Sequence, residues 1–231
     1  MQTPDISFLG HRFPPQIVAH AVWLYLRFNV SLREVEEMPL ERGIDVSYET
    51  ARRWIAKFEP QIARNLRCRQ ERPGDIWYLD EVVVKCAGEK FWLWRAVDHE
   101  GEVLESYLTK TRDKHAALTF LKKAMKRYGA PRTVVTDQLR SYGAAMKEIG
   151  NEDRQEVGRH LNNRAENSHL PFRRRERAMS RFRRMSNLQK FVSTHASFHN
   201  HFNLDRHINH RQTFKSMRNA ALSEWRQLLA G

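Results

Sequence analysis

The sequence is poor in cysteine and has no long apolar segment. Its two cysteines among 231 residues, Cys68 and Cys86, stand in unrelated contexts, which argues against a disulfide framework or a thiolate zinc site. No uncharged apolar run approaches the roughly 20 residues that span a bilayer. The N-terminus also lacks the basic-then-apolar order of a signal peptide. We therefore expect a cytoplasmic protein with reduced thiols.

A zinc-binding histidine motif is also incomplete. Five histidines crowd the C-terminal part of the chain: His195, His199, His201, His207 and His210. The spacing of His195 and His199 would place both on one helix face, as in some zinc enzymes, but the glutamate that follows the first histidine in HExxH is missing. Structural or DNA-contacting histidines are favoured over a zinc site.

Positive charge is abundant. Forty Lys and Arg residues against 27 Asp and Glu leave a formal net charge of +13, and such a surface attracts polyanions. Nucleic acid is the expected partner, with an acidic membrane surface as the alternative. Hydrophobic residues make up 41% of the chain, which is enough for a folded core.

The first part of the chain, residues 1–70, has the pattern of a helix-turn-helix DNA-binding domain. Apolar residues recur at helical spacing after Pro14 and Pro15. Ser31 and Glu34 form a capping box for a second helix, which Pro39 should bend or end. Ser47 is expected to cap a third helix, whose inward residues are Ala51, Trp54, Ile55 and Phe58.

The pattern changes from helical to extended after a linker at residues 71–74. Three strand-like runs separated by short turns predict an antiparallel meander: IWYLDEVVVKC, FWLWRAVD and VLESYLTK. The meander is followed by a helix near 112–128, the short buried strand TVVTD and a helix near 142–149. The polar loop after this helix has room for a fifth short strand, and helix dominates from Asn163. This order predicts an α/β, ribonuclease-H-like catalytic domain over 71–200, with a helical tail at 201–231.

Two aspartates stand where such a sheet would bind a ligand. Asp80 lies mid-strand between apolar residues, where an unpaired charge is costly. Asp137 ends the fourth strand, where open α/β sheets place ligands, although an aspartate there is often only a cap. Glu81 should point to the opposite sheet face, so we expect it to be structural or to bind DNA, outside a metal site. A third acid would come from NNRAENSH, whose only acid is Glu166.

The motifs along the whole chain resemble those of the short bacterial transposases of insertion-sequence family six, in the DDE transposase class. Three segments of the core carry the likeness: WYLDEVVVKCAGEKFWLWRAVDHEGEVL, VVTDQLRSYGAA and LNNRAENSHLPFRRRERAMSRFR. The head adds RFPPQIVAHAVWLYLRFNVSLREVEE and ERGIDVSYETARRWIAKF. Trp77 with Asp80, Thr136 with Asp137, and Asn162-Asn163 with Glu166 match the family motifs in order.

Two features depart from the family pattern. Residues 138–165, 28 in number, separate Asp137 from Glu166, whereas the family spacing is usually a few residues longer; a shorter surface loop is easily tolerated. Pro39 interrupts a segment where the resemblance implies a continuous helix, at a cost of up to about 3 kcal/mol in a helix interior.

The resemblance implies an enzyme that nicks DNA at terminal inverted repeats and joins the freed 3′ hydroxyl to target DNA by a replicative route. Asp80, Asp137 and Glu166 would be both catalytic residues and ligands of two Mg²⁺ ions about 3.5 to 4 Å apart, for which Mn²⁺ can substitute. Asp80 would bridge the ions, with Asp137 on one and Glu166 on the other. A homodimer or larger assembly would hold the two DNA ends.

Basic residues in two regions are the expected DNA contacts. In the third helix of the head, Tyr48, Arg52, Arg53 and Lys57 are candidates for base or phosphate contact, with a solvated charged face as the alternative. The core offers a larger set suited to phosphates: Arg164, Arg173, Arg174, Arg175, Arg177, Arg181, Arg183 and Arg184. A DNA-binding regulator, or a ribonuclease-H-like nuclease without strand transfer, stays an alternative.

Overall fold

The protein divides into two compact units. The computed structural model describes residues 6–69, 72–158, 161–179, 182–203 and 209–229. Unit 1 comprises residues 1–70 and 197–231, and unit 2 comprises residues 71–196. This division differs from the expected separate tail at 201–231, because the C-terminal residues group with the N-terminal ones.

The helices of unit 1 begin and end largely where the sequence predicts. They are α1 (Pro15–Arg27), α2 (Leu32–Leu40) and α3 (Tyr48–Arg69). The capping box of α2 is confirmed: the amide of Glu34 donates to Ser31 Oγ at 3.3 Å, and the Glu34 carboxylate accepts from the Ser31 amide. Ser47 Oγ accepts from the amide of Thr50 at 3.3 Å at the start of α3.

Pro39 lies at the end of α2 rather than in its middle. The helix continues for one residue, to Leu40, and the Pro39 carbonyl then accepts hydrogen bonds from the amides of Arg42 and Ile44 at 2.9 and 3.0 Å. The prediction that this proline ends or bends the helix is confirmed. The break falls at a helix end, where the chain must turn in any case.

An aromatic cluster forms much of the core of unit 1. Trp23 of α1 packs against Trp225 and Phe202, with ring centroids 5.1 and 5.2 Å apart. Phe202 ends α7 (Met185–Phe202), and Trp225 belongs to α8 (Arg211–Leu229). These rings bury large apolar areas, which explains why the C-terminal helix belongs to this unit.

Unit 2 is built on a five-stranded sheet of order β3-β2-β1-β4-β5. Its strands are β1 (Ile76–Cys86), β2 (Glu89–Asp98), β3 (Val103–Thr109), β4 (Thr133–Thr136) and β5 (Gln155–Val157). The first three strands pair antiparallel, while β4 pairs parallel with both β1 and β5. The predicted α/β, ribonuclease-H-like core with an all-α N-terminal region is confirmed.

The helices of unit 2 cover both faces of the sheet. On one face, Trp77 and Leu79 of β1 pack with residues of α4 (Lys114–Tyr128) and α5 (Arg140–Ile149). On the other, Val84 and Cys86 pack with Phe172 of α6 (Asn163–Ala178) and with α7. Alternation along β1 therefore directs Glu81 toward α4 and α5, and Asp80 toward α6.

Within the described ranges, no helix combines the length and apolar character needed to cross a membrane.

Candidate active site

The early end of β4 opens one edge of β1. The parallel pairing with β4 covers only Ile76 to Tyr78 of β1, so β1 continues past the point where β4 stops at Thr136. Asp137, the next residue, therefore lies near the middle of β1. Asp80, Glu81 and Asp137 each place a carboxylate oxygen within 4.8 Å of the others. Asp137, which is distant in sequence from the adjacent pair Asp80 and Glu81, thus shares one site with them.

Asp80 is held from the α6 side of the sheet. Its Oδ2 lies 3.1 Å from Nε2 of His169, and its side chain is 17% exposed. Burial lowers the pKa of His169, although the Asp80 carboxylate opposes this shift. Arg95, the cross-strand neighbour of Asp80, is fully buried, and burial lowers its pKa to about 10. Its guanidinium donates to the backbone carbonyl of Ser168 in α6.

Glu81 lies on the opposite face, yet it belongs to the carboxylate cluster. Its side chain is 1% exposed, and its Oε2 accepts a hydrogen bond from the Tyr142 hydroxyl at 2.8 Å. Oε1 accepts from Arg112 Nε at 2.7 Å and from Arg112 Nη2. Burial raises the pKa of Glu81, and the hydrogen bonds from Tyr142 and Arg112, which lower it, offset this only in part. The expected face is correct, but the Glu81 carboxylate lies within 4.8 Å of the other two acids, which alternation along the strand did not predict. Its exclusion from the metal site stays a prediction.

Asp137 is the most accessible of the three carboxylates. Its Oδ1 accepts a hydrogen bond from the amide of Leu139 at 3.0 Å, which fixes the loop between β4 and α5. Its Oδ2 lies 3.9 Å from Nη2 of Arg112, and the side chain is 37% exposed. Oδ2 therefore remains open to a further ligand.

Glu166 is exposed and is not part of the three-carboxylate cluster. Glu166 lies in the first turn of α6. This helix contacts β1 through residues before and after Glu166. Asn162 Nδ2 donates to the Leu79 carbonyl at 2.7 Å, and His169 lies beside Asp80. Farther along, Arg173 donates to the Val83 carbonyl. The structure thus brings the helix, though not the Glu166 carboxylate, to the site.

Sequence patterns missed three residues that contact the acids. Arg112 precedes α4, Tyr142 lies in the first turn of α5, and His169 lies in α6. Tyr142 and His169 stand within the quoted family motifs but have no catalytic spacing of their own. Arg112 stands outside them, and nothing in its local pattern separates it from the chain's other arginines.

Comparison with known proteins places this site in a family. The family model described as "DDE domain", of the IS240 type, matches residues 74–221. The chain belongs to the DDE transposases. The resemblance to insertion-sequence family six is thereby confirmed.

Similar curated proteins carry transposase names. The chain is 34% identical over 142 residues to the transposase for the insertion sequence-like element IS431mec of Staphylococcus aureus. The aligned region covers 62% of this chain and 63% of that protein. It is 33% identical over the same length to the transposase for IS257 in transposon Tn4003 of the same species. The chain therefore spans somewhat less than two thirds of these relatives' length.

Solved structures that the chain matches include the HTLV-2 integrase catalytic core domain in complex with magnesium. That chain is 16% identical with a TM-score of 0.40, and the match covers 58% of this chain and 89% of that one. The BIV integrase catalytic core domain is 13% identical with a TM-score of 0.36, covering 66% and 99%.

The arginines expected to bind DNA from the core differ in accessibility. Arg175 is 1% exposed, so the expectation that it contacts DNA is not supported by its position. Arg173 is half-buried and pairs with Glu176 at 2.7 Å, and Arg164 donates to the His99 carbonyl. Five of the set are exposed, namely Arg164, Arg174, Arg177, Arg183 and Arg184. Arg181 lies outside the described residues.

The basic residues of α3 are exposed but partly paired. Arg52 forms a salt bridge with Glu49 at 2.6 Å, whereas Arg53 is 76% exposed and lies 3.5 Å from the same carboxylate. Lys57 Nζ lies 2.9 Å from His11 Nε2, and Tyr48 is exposed. The segment between α2 and α3 is longer than the roughly three- or four-residue turn common in the helix-turn-helix motif.

The histidines of α7 take part in packing and polar contacts. His195 stacks near Phe191, with centroids 5.6 Å apart, and His201 Nε2 lies 2.7 Å from the Glu224 carboxylate. His195 and His201 thus have packing or polar partners, and the structural or DNA-contacting role of the cluster stays a prediction. His207 lies outside the described residues.

Proposed function

We propose that the chain catalyses transposition of an insertion sequence by nicking its DNA ends and transferring the 3′ hydroxyl strand to target DNA. The observation that carries the proposal is the meeting of Asp80 and Asp137 at the edge of β1, beside the helix that bears Glu166. Both aspartates keep a carboxylate oxygen that can accept a further ligand, and the family model matches this whole region.

The donor set fits divalent ions with a preference for oxygen. Asp80, Asp137 and Glu166 would hold Mg²⁺ or Mn²⁺, since carboxylate oxygens suit both ions. Two such ions, when bound, would activate the attacking oxygen and stabilise the leaving oxygen at the phosphodiester. Glu81 fits the ligand set less well, because protein groups already use both of its oxygens.

The attachment of α6 supports Glu166 as the third acid. Asn162 lies four residues before it and His169 three residues after it, and both contact β1 at Leu79 and Asp80. Residues three and four apart lie on the same side of a helix. A change of side-chain rotamer with a small helix movement would then bring the Glu166 carboxylate toward Asp80.

Neighbouring residues of the chain would hold the carboxylates of Asp80 and Asp137 in fixed orientations. His169 limits the orientation of Asp80, and the Leu139 amide fixes one oxygen of Asp137. Preorganised groups of this kind accelerate reaction because they need not be reoriented at the transition state.

DNA binding would use the positive charge of both units. Five exposed arginines of unit 2 would contact phosphates, which makes binding strongly dependent on salt: Arg164, Arg174, Arg177, Arg183 and Arg184. Tyr48, Arg52, Arg53 and Lys57 of α3 would contact the terminal inverted repeats. A homodimer or larger assembly in the cytoplasm would hold two DNA ends.

The test compares Asp80→Asn with the matched variant Asp153→Asn, which changes an exposed acid in the short 3-10 helix Glu152–Arg154 after α5. We expect Asp80→Asn to lower nicking and strand transfer on native inverted repeats by more than about 100-fold, beyond the usual cost of disturbing a residue that only orients a ligand. Binding of end DNA should stay within about threefold, since the phosphate contacts are unchanged.

Three results would alter the proposal. Unchanged strand transfer by Asp80→Asn would remove this residue from the site, and an equal loss in Asp153→Asn would point to a general effect of lost charge. Cutting of end DNA without joining by the unaltered protein would favour a nuclease instead.

A further inference from the structure

We propose that Arg112 is a positioning residue that holds Asp137 ready for metal binding, and that Glu81 anchors Arg112 instead of ligating metal. This inference rests on the proposed metal-dependent function. It assigns different tasks to the three clustered carboxylates and gives a role to a residue outside the family motifs quoted above.

Glu81 is committed to the protein on both of its oxygens. Arg112 donates to Oε1 from Nε and Nη2, and the Tyr142 hydroxyl donates to Oε2 at 2.8 Å. The side chain follows Trp77 and Leu79 on the face that packs against α4 and α5, whereas Asp80 faces α6. One Glu81 oxygen lies within 4.8 Å of oxygens of Asp80 and Asp137. A cation shared with them would therefore compete with Arg112 and Tyr142 for the Glu81 carboxylate.

Arg112 is fixed on several sides. Its guanidinium stacks over the Trp92 ring, 4.8 Å from the centroid, and two of its nitrogens bond Glu81. The next residue, Asp113, caps α4 by accepting from the amide of Ala116 at 2.8 Å. The planar guanidinium can direct donors to two carboxylates at once, and this environment selects its orientation.

The same guanidinium faces Asp137. Arg112 Nη2 lies 3.9 Å from Asp137 Oδ2, while the Leu139 amide holds Oδ1 at 3.0 Å. The first distance is long enough to leave Oδ2 open to a metal ion. It is short enough for the positive charge to offset the repulsion among three neighbouring carboxylates. Arg112 thus limits where Asp137 can turn without occupying its free oxygen.

The experiment measures Mn²⁺ binding to the full chain by the loss of the electron paramagnetic resonance signal of free Mn²⁺. We expect Arg112→Gln to weaken Mn²⁺ binding by about 10- to 100-fold, the usual cost of removing a residue that orients a ligand. Arg112→Lys keeps the charge but offers no planar pair of donors, so it should give an intermediate loss. It also serves as the readout if Arg112→Gln does not fold.

The variant Glu81→Gln distinguishes between two roles of Glu81, an anchor for Arg112 and a metal ligand. The amide oxygen can still accept from Arg112, so we expect Mn²⁺ affinity within about threefold of the unaltered protein. Asp137→Asn, which changes an expected ligand, should lose more than about 100-fold, as the reference for losing a ligand outright.

The outcomes distinguish the two proposals. If the unaltered protein binds no Mn²⁺, the metal-dependent function fails and this inference fails with it. If it binds Mn²⁺ and Arg112→Gln binds equally well, Arg112 does not influence metal binding; if Arg112→Gln binds more tightly, Arg112 acts as a repelling charge. Either result overturns this inference alone. A loss in Glu81→Gln as large as in Asp137→Asn would make Glu81 a ligand and also overturn it.

Discussion

Replacement of Asn162 tests how the third family motif fixes α6 to the central strand. The Asn162 side chain is 1% exposed, and its Nδ2 donates to the Leu79 carbonyl at 2.7 Å. Asn162→Ala removes that donor and leaves a buried carbonyl beside Asp80 without it. Asn163, the neighbouring residue of the same motif, is exposed, so Asn163→Ala is a matched control.

The hydrogen bond sets the expected size of the effect. Leaving a buried polar group without its partner costs about 1 to 3 kcal/mol, which lowers Tm by about 2 to 4 °C per kcal/mol for a chain of this size. Among the described residues, Asn162 Oδ1 has no hydrogen-bond partner, so the loss comes from Nδ2 alone. Asn162→Asp should cost more, because it places a buried negative charge against a carbonyl oxygen.

Thermal unfolding followed by circular dichroism measures this difference. We expect Asn163→Ala to be as stable as the unaltered protein, within about 0.5 kcal/mol. Asn162→Ala should be less stable than both, and Asn162→Asp should be the least stable. Nicking should fall in the two Asn162 variants, because Glu166 loses the fixed start of its helix. Equal Tm values for Asn162→Ala and Asn163→Ala would refute the anchoring argument.

Three further predictions concern separate parts of the chain. Burial lowers the pKa of His169 in the folded protein, so the unfolded chain takes up its proton first and stability falls as pH drops below about 6.5; urea titrations should show a shallower fall for His169→Gln. Trp225→Ala should remove about 3 to 5 kcal/mol from unit 1, measured by urea unfolding. Ser31→Ala should cost about 1 kcal/mol through the lost cap, measured in the same way.

Each of these has an outcome that contradicts it. An unchanged pH dependence in His169→Gln would show that this histidine does not titrate with folding. For Trp225, the control is Met217→Ala, an exposed residue on the same helix; equal losses would mean that the aromatic cluster contributes little. No measurable change in Ser31→Ala would show that water replaces the cap without cost.

The sequence alone determined the features that depend on local spacing. Alternation in β1 correctly placed Asp80 and Glu81 on opposite faces, and the Ser31 and Glu34 pair correctly marked the start of α2. The antiparallel meander of the first three strands followed from the short turns and the apolar runs. These inferences succeed because backbone hydrogen bonding repeats every few residues, so nearby side chains report it directly.

Which distant side chains meet depends on how the strands and helices pack together. Glu81 joins the acid cluster because β4 ends beside the middle of β1, a fact that alternation within β1 cannot supply. Arg175 is buried although its neighbours suggest a phosphate contact, and Trp225 joins α8 to the first unit through packing with Trp23. Such pairings arise when strands and helices pack together, and a one-dimensional pattern does not encode where each element stops relative to its neighbour.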